Sequence, residues 1–156
     1  MTIRAKVAFL CLTIPTLSEL GLGLVYFTAS EMMPYHEQAL GTDWPQLEPG
    51  VRTMLLTFVR GYGSAHLAVG IALATLVLIP LRRGQTWARW TILATGLPVF
   101  GATAYLSSRL ALTTGANVPW QGATALLAIF VIGVVLVDPA AIAESVKVRE
   151  RMESLI

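Results

Sequence analysis

The stretch that decides the fold is residues 58–84, FVRGYGSAHLAVGIALATLVLIPLRRG. Most of it is oily enough to sit in a lipid bilayer. Its first third nevertheless carries Arg60, Tyr62 and His66. A helix crossing a hydrocarbon core of ~30 Å needs about 20 apolar residues, and runs of that length recur along the chain. They cover about 7–29, 53–80, 87–108 and 119–137. The chain has 156 residues, 55% hydrophobic and 13% charged, which is more apolar surface than a soluble domain of this length can bury. The runs are continuous and do not alternate, so helices are expected and not a barrel. The expected fold is all-α: an integral membrane four-helix antiparallel bundle forming one domain over residues 1–156.

The basic residues set the expected orientation. Arg4 and Lys6 precede the first span, Arg82, Arg83 and Arg89 bracket the turn between the second and third, and Lys147, Arg149 and Arg151 follow the fourth. With four spans these clusters share one side, which the positive-inside rule makes cytoplasmic. The 31–50 loop on the other side holds Glu31, Glu37, Asp43 and Glu48 and no Lys or Arg. Both termini are expected inside, in a membrane such as the bacterial cytoplasmic membrane. The bases are spread this way along the spans, so the basic pI does not point to nucleic acid. The first run is too long for the apolar part of a signal peptide and contains Glu19, so it reads as a retained helix. Cys11 is alone, so no disulfide or thiolate metal site is expected.

Trp87 and Trp90 sit at one expected interface and Trp44 and Trp120 at the other, as an aromatic belt. Within the 31–50 loop, Pro34 can open a short helix that Gly41 ends. The following TDWPQLEPG reads as turns at Pro45 and Pro49. This loop either caps the bundle or is a solvated connector. Asp138 before Pro139 resembles an N-cap with proline at the first helical position. The 139–156 tail then reads as an amphipathic cytoplasmic helix, with Val148, Met152 and Leu155 on one stripe. Glu144 with Lys147, and Arg149 with Glu153, are spaced for pairing.

Polar groups within apolar runs are costly, about 2.5–3.5 kcal/mol for a charge at the bilayer centre. Such groups face protein or a water-filled cavity. Glu19 lies mid-helix with Tyr26 on its face, near Pro15. His66 shares a face with Tyr62 and Gly70, while Arg60 reaches that face only through its long side chain. Counted from Ser30 and Arg60, Glu19 and His66 lie ~16 Å and ~9 Å deep, and the two side chains, a water or a substrate could bridge the ~7 Å between them, which helix tilt can narrow. Tyr105 and Arg109 in the third span, and Trp120 and Gln121 at the start of the fourth, fall at the same outer depth. Glu31 and His36, with Tyr35, could close the mouth. These groups are expected to converge on a pocket open outward and closed inward. In it Glu19, His66, Arg60 and Tyr62 are the candidate catalytic residues. Tyr26, Glu31, His36, Tyr105, Arg109, Trp120 and Gln121 are the candidate substrate-binding ones.

A carboxyl group and an imidazole in a low-dielectric pocket suit general acid–base chemistry. The expected function is therefore a membrane enzyme acting on a lipophilic small molecule by isomerisation, cyclisation or epoxide opening, with no cofactor or metal. An alternative is a proton-coupled transporter. Four spans with one embedded glutamate in the first resemble the layout of the small multidrug resistance exporters, and that resemblance implies a homodimer built around Glu19. This chain is longer, its outer loop is larger, and Arg60 and Arg109 would repel a cationic drug. The further alternatives are a haem- or quinone-binding protein, with His36 and His66 as the only imidazoles, and a membrane subunit without chemistry.

Overall fold

The computed structural model describes residues 2–144 and 147. The chain is helical throughout, with no strand among the described residues. It runs through α1 (Ile3–Phe27), a short α2 (Pro34–Leu40), a 3-10 turn (Trp44–Gln46), α3 (Pro49–Leu76) continuing into a π turn (Val77–Leu81), α4 (Thr86–Thr114) and α5 (Trp120–Leu136).

The ends have local causes. Thr2 Oγ1 accepts a hydrogen bond from the Ala5 amide at 3.2 Å and caps α1. Pro34 and Pro49 each stand in the first turn of a helix, where a missing N–H costs nothing. Pro49 thus opens α3 and does not form a turn of its own, which lengthens that helix beyond the expected 53–80. Left-handed glycines, Gly41 (φ 67°) and Gly115 (φ 72°), end α2 and α4. The fourth helix runs on past 108 because the hydroxyls of Ser107, Ser108, Thr113 and Thr114 donate to carbonyls of their own helix. Their polarity is absorbed within the helix and does not break it. Pro80 lacks the amide an α-turn would use, and the backbone widens there into the π turn.

Helix α1 packs along both α3 and α5, and α4 packs on α5 while touching α3 much less. The α1–α3 contact is one of backbone on backbone. A Cβ on Gly63 would lie 2.3 Å from the Phe27 amide nitrogen, and one on Gly23 would lie 2.6 Å from that of Leu67. Only glycine permits this approach. Gly70 against Leu20 continues the same antiparallel register.

The core fills the end of the bundle that holds the α3–α4 turn. Ala8, Leu12, Leu73, Val77, Leu81, Ala88, Ile92, Phe100, Phe130, Val134, Val137 and Ile142 form one cluster there. Asp138 Oδ1 accepts from the Ala140 amide at 3.1 Å, as the expected N-cap requires. The turn that follows carries Ile142 into the core and sets Ala143 against Gly84. The start of the tail therefore sends Ile142 into the bundle while Ala140, Ala141 and Glu144 stay exposed. The Val148–Met152–Leu155 stripe and the Arg149 and Glu153 pair fall outside the described residues.

The outer faces of the helices are apolar: Leu10, Leu17, Leu24, Phe27, Ile71, Leu78, Leu112 and Val135 are all exposed. Two helical stretches, Ile3–Phe27 and Pro49–Leu81, are long and apolar enough to cross a membrane. Trp120–Leu136 is apolar but only 17 residues long.

Candidate functional site

At the end of the bundle that carries α2, the core gives way to a cavity of about 710 Å³. Four helices and the α2 segment contribute to its wall: Glu19 and Tyr26 from α1, Tyr35 and His36 from α2, Tyr62 from α3, Thr103 and Ser107 from α4, and Leu126 from α5. Most of the remaining wall is apolar, from Leu22, Val25, Phe58, Val59, Phe100, Leu106, Leu110 and Val118.

Glu19 forms the floor, with His66 directly behind it. Each is only 3% exposed, and Glu19 Oε2 hydrogen-bonds His66 Nδ1 directly. The glycine register makes this possible. Gly23 lies one turn from Glu19, and Gly63 and Gly70 lie one turn either side of His66, so the two backbones touch and the side chains need only span the offset along the helices. One proton sits between the two groups, donated by the imidazole to a carboxylate or by a carboxylic acid to the imidazole. Both arrangements can be neutral overall, which is what burial favours. Glu19 faces the cavity, and His66 lies behind it with its ring 4.1 Å from that of Tyr62.

A chain of aromatic rings climbs from this floor. Tyr62 meets Tyr26 edge to face at 5.5 Å, and its hydroxyl is 3.2 Å from Thr103 Oγ1. The Tyr26 hydroxyl bonds that of Tyr35. Tyr35 and Tyr26 both pack on His36, at 4.2 and 6.2 Å between ring centres. Burial pushes the Tyr35 phenol up to about 12, with the neighbouring Tyr62 adding to the rise. Burial lowers His36, whose Nδ1 is buried without a hydrogen-bond partner. Helix α2 is tied down beyond these rings. Gln38 Oε1 accepts from the Asn117 amide at 2.9 Å, and Glu37 Oε1 accepts from the Trp44 amide at 2.8 Å. The loop caps the cavity.

Of the expected site residues, Glu19, His66, Tyr62, Tyr26 and His36 come together here. Arg60 does not join them: its guanidinium Nε donates to the Ala29 carbonyl at 3.0 Å and helps close the end of α1. Tyr105 and Arg109 do share a face, but it is the wrong one. The cavity stripe of α4 is Thr103, Leu106, Ser107 and Leu110, so the two are turned outward, with Tyr105 63% exposed. In α5 the wall is built from Pro119, Gly122, Ala123 and Leu126, which leaves Trp120 and Gln121 outside it. Glu31 precedes α2 and is exposed. Tyr35, expected at the mouth, belongs to the wall, and so do Ser18, Thr103 and Ser107, which the sequence did not single out. For Thr103 and Ser107, helical steps of four and then three running on to Leu110 would have been the signal.

No family model, curated protein or solved structure matches this chain.

Proposed function

We propose that this protein is an integral membrane enzyme that moves a proton within an uncharged, lipophilic small molecule, as in an isomerisation, cyclisation or epoxide opening. The observation that carries the reading is the buried Glu19–His66 pair opening onto an apolar cavity. The four long helices α1, α3, α4 and α5 all cross the bilayer, with the α2 end outside and both termini inside. The exposed apolar faces, the basic excess at the opposite end (Arg4, Lys6, Arg82, Arg83 and Arg89, against Arg52, Arg60 and Arg109 at the α2 end) and the tryptophans near both ends support this arrangement.

In the reaction, Glu19 takes a proton from one carbon beside the substrate's polar group and the pair returns one at another. Where it first gives a proton to an alkene or epoxide oxygen, the cation formed is closed by a double bond or hydroxyl of the same molecule and a second proton goes back to the pair. His66 balances the change across their shared hydrogen bond, so the pair need not carry isolated charge in a dry site. Tyr62, Tyr26 and Tyr35 supply phenolic donors for the oxygen on which negative charge develops. No arginine serves this purpose, since none lines the cavity. The cavity is within the roughly 300–1,000 Å³ range of small-molecule sites.

The test uses purified protein in liposomes made with host lipid extract in D₂O. Proton removal and return at carbon would introduce deuterium into one lipophilic species, seen by mass spectrometry, and Glu19→Gln would abolish it. A proton-coupled transporter would instead give Glu19-dependent proton flux down a pH gradient with no deuterium at carbon. That outcome would overturn the enzyme reading.

A further inference from the structure

One stripe of α3 contains Phe58, Tyr62, Val69 and Leu76, at helical spacings of four and seven. Val69 and Leu76 pack against the core. Phe58 and Tyr62, on the same stripe, are 67% and 39% exposed and line the cavity. The stripe is thus covered at one end of the bundle and bare at the other. On α4, Leu106 also lines the cavity and is 57% exposed. Helix α4 leans on α5 and touches α3 little, and the hydrogen bond recorded between the two helices at this level is the one linking the Tyr62 and Thr103 hydroxyls. A slot therefore separates the α2-end halves of α3 and α4, and its rim is made of Phe58, Leu106 and Leu110.

The axial way into the cavity has a different character. Helix α2 lies across the end of the bundle, held by the Tyr26–Tyr35 hydroxyl bond and by Gln38 on the Asn117 amide. The axial route toward water is covered by hydrogen-bonded side chains, while the lateral route has an apolar rim. A hydrated molecule would have to break the first cover, while a lipid-dissolved molecule would meet an apolar rim at the second, with the single Tyr62–Thr103 hydroxyl bond crossing between the helices beyond it.

We propose that the substrate enters sideways from the outer leaflet, through the slot between α3 and α4. It is then an uncharged lipid-phase molecule whose polar group comes to rest beside Glu19. Its lack of charge follows from the wall: no Lys or Arg lines it, and the one carboxyl group is already partnered by His66. The inference rests on the membrane reading given above but not on the chemistry assigned to Glu19.

The test is a labelling rate in liposomes. In a Cys11→Ser background, Ser107→Cys places a thiol in the cavity wall. Two methanethiosulfonates are compared, one with a decyl chain that partitions into the bilayer and one with a charged trimethylammonium group. The decyl reagent is expected to react at least about tenfold faster, and Leu106→Trp, which fills the slot, to slow it by about tenfold. Phe58→Ala widens the rim and should speed the reaction, which keeps the test decisive if the tryptophan variant fails to fold. Gln46→Cys, outside the cavity, should react readily with the charged reagent and serves as its control. Glu19→Gln should leave all these rates unchanged, so loss of catalysis and loss of the route are read separately. Equal or faster labelling by the charged reagent, or indifference to the rim variants, would overturn lateral entry. Failure of the protein to float with the liposomes would overturn the membrane reading and the slot together.

Discussion

Glu19 and His66 depend on each other. Each is buried, each has the other as its hydrogen-bond partner, and removal of either leaves a polar group in an apolar site. Glu19→Gln keeps the shape and can still bond the imidazole, so this variant is expected to fold with a near-native melting temperature. It loses the titratable proton, and activity should fall by roughly 10²–10⁴-fold. His66→Ala removes the ring that packs on Tyr62 as well as the hydrogen bond, and should cost about 1–2 kcal/mol of stability in addition to activity. Full activity in Glu19→Gln would leave the pair a structural fastener. The glycines between them carry a separate prediction. Gly63→Ala would drive a methyl group into the Phe27 amide, force α1 and α3 apart and lower stability by about 1–3 kcal/mol, as read by thermal unfolding in detergent. The pair was legible in the sequence because a lone carboxyl group and a lone imidazole stand out within apolar runs. Their offset of ~7 Å along the helices was bridgeable by side chains, as the direct bond now shows. The arginines were misread for a physical reason. Depth follows from counting residues, but facing depends on which stripe meets a neighbour, and Arg60 and Arg109 are long enough to be satisfied away from the cavity.

Helix α2 was marked by its punctuation, Pro34 before and Gly41 after, and its limits follow that punctuation. Whether it would cover the bundle was not legible, because the cover depends on Tyr35 meeting Tyr26 from another helix. The α3 and α4 limits were missed for a related reason: both helices outrun their apolar stretches, Pro49 being accommodated in the first turn of α3 and the serines and threonines of α4 by bonds to the helix's own carbonyls. The cap should respond to pH on both sides. His36 titrates below its ordinary value of about 6.5 when the cap is closed and near that value when it is open. Closure is then at full strength above about pH 6.5 and is lost as pH falls through the lower, closed-state value. Tyr35 titrates near 12 when closed and near 10.0 when free, so closure is also lost as pH rises from about 10 toward 12. Proteolysis within the 31–50 loop should therefore quicken as pH falls from about 7.5 to 5. His36→Phe retains a ring against Tyr26 and Tyr35 without the titrating nitrogen, and should flatten that acid response. An unchanged acid response in this variant would assign it to other groups, such as the nearby glutamates.

The bundle explains why the four helices differ so much in apolar character. Helices α1 and α3 are apolar enough to cross a membrane alone. Helix α4 carries Arg89, Arg109 and several hydroxyls, and α5 is short. Both lean on partners: α5 on α1 through Gly133 and Leu12, and α4 on α5 through Gly96 and Phe130. An arrangement with α4 and α5 inserted as a packed pair satisfies those contacts and leaves the apolar outer faces toward lipid. It also puts Arg4, Arg82, Arg83 and Arg89 at one end and the acidic loop at the other, as charge asymmetry across a membrane requires. The topology can be checked with a membrane-impermeant maleimide on intact cells. Cys11→Ser supplies the background and should itself change little, since the thiol is half-buried and the hydroxyl is close in size. Gln46 and Arg83 are exposed on the chain at opposite ends of the bundle, so Gln46→Cys and Arg83→Cys disturb no packing. Gln46→Cys should be labelled from outside and Arg83→Cys only after the membrane is opened. The reverse pattern would turn the molecule over and make the cavity open to the inner leaflet. Labelling of both from outside would mean that α3 does not cross, and the Glu19–His66 site would then lie outside the bilayer altogether.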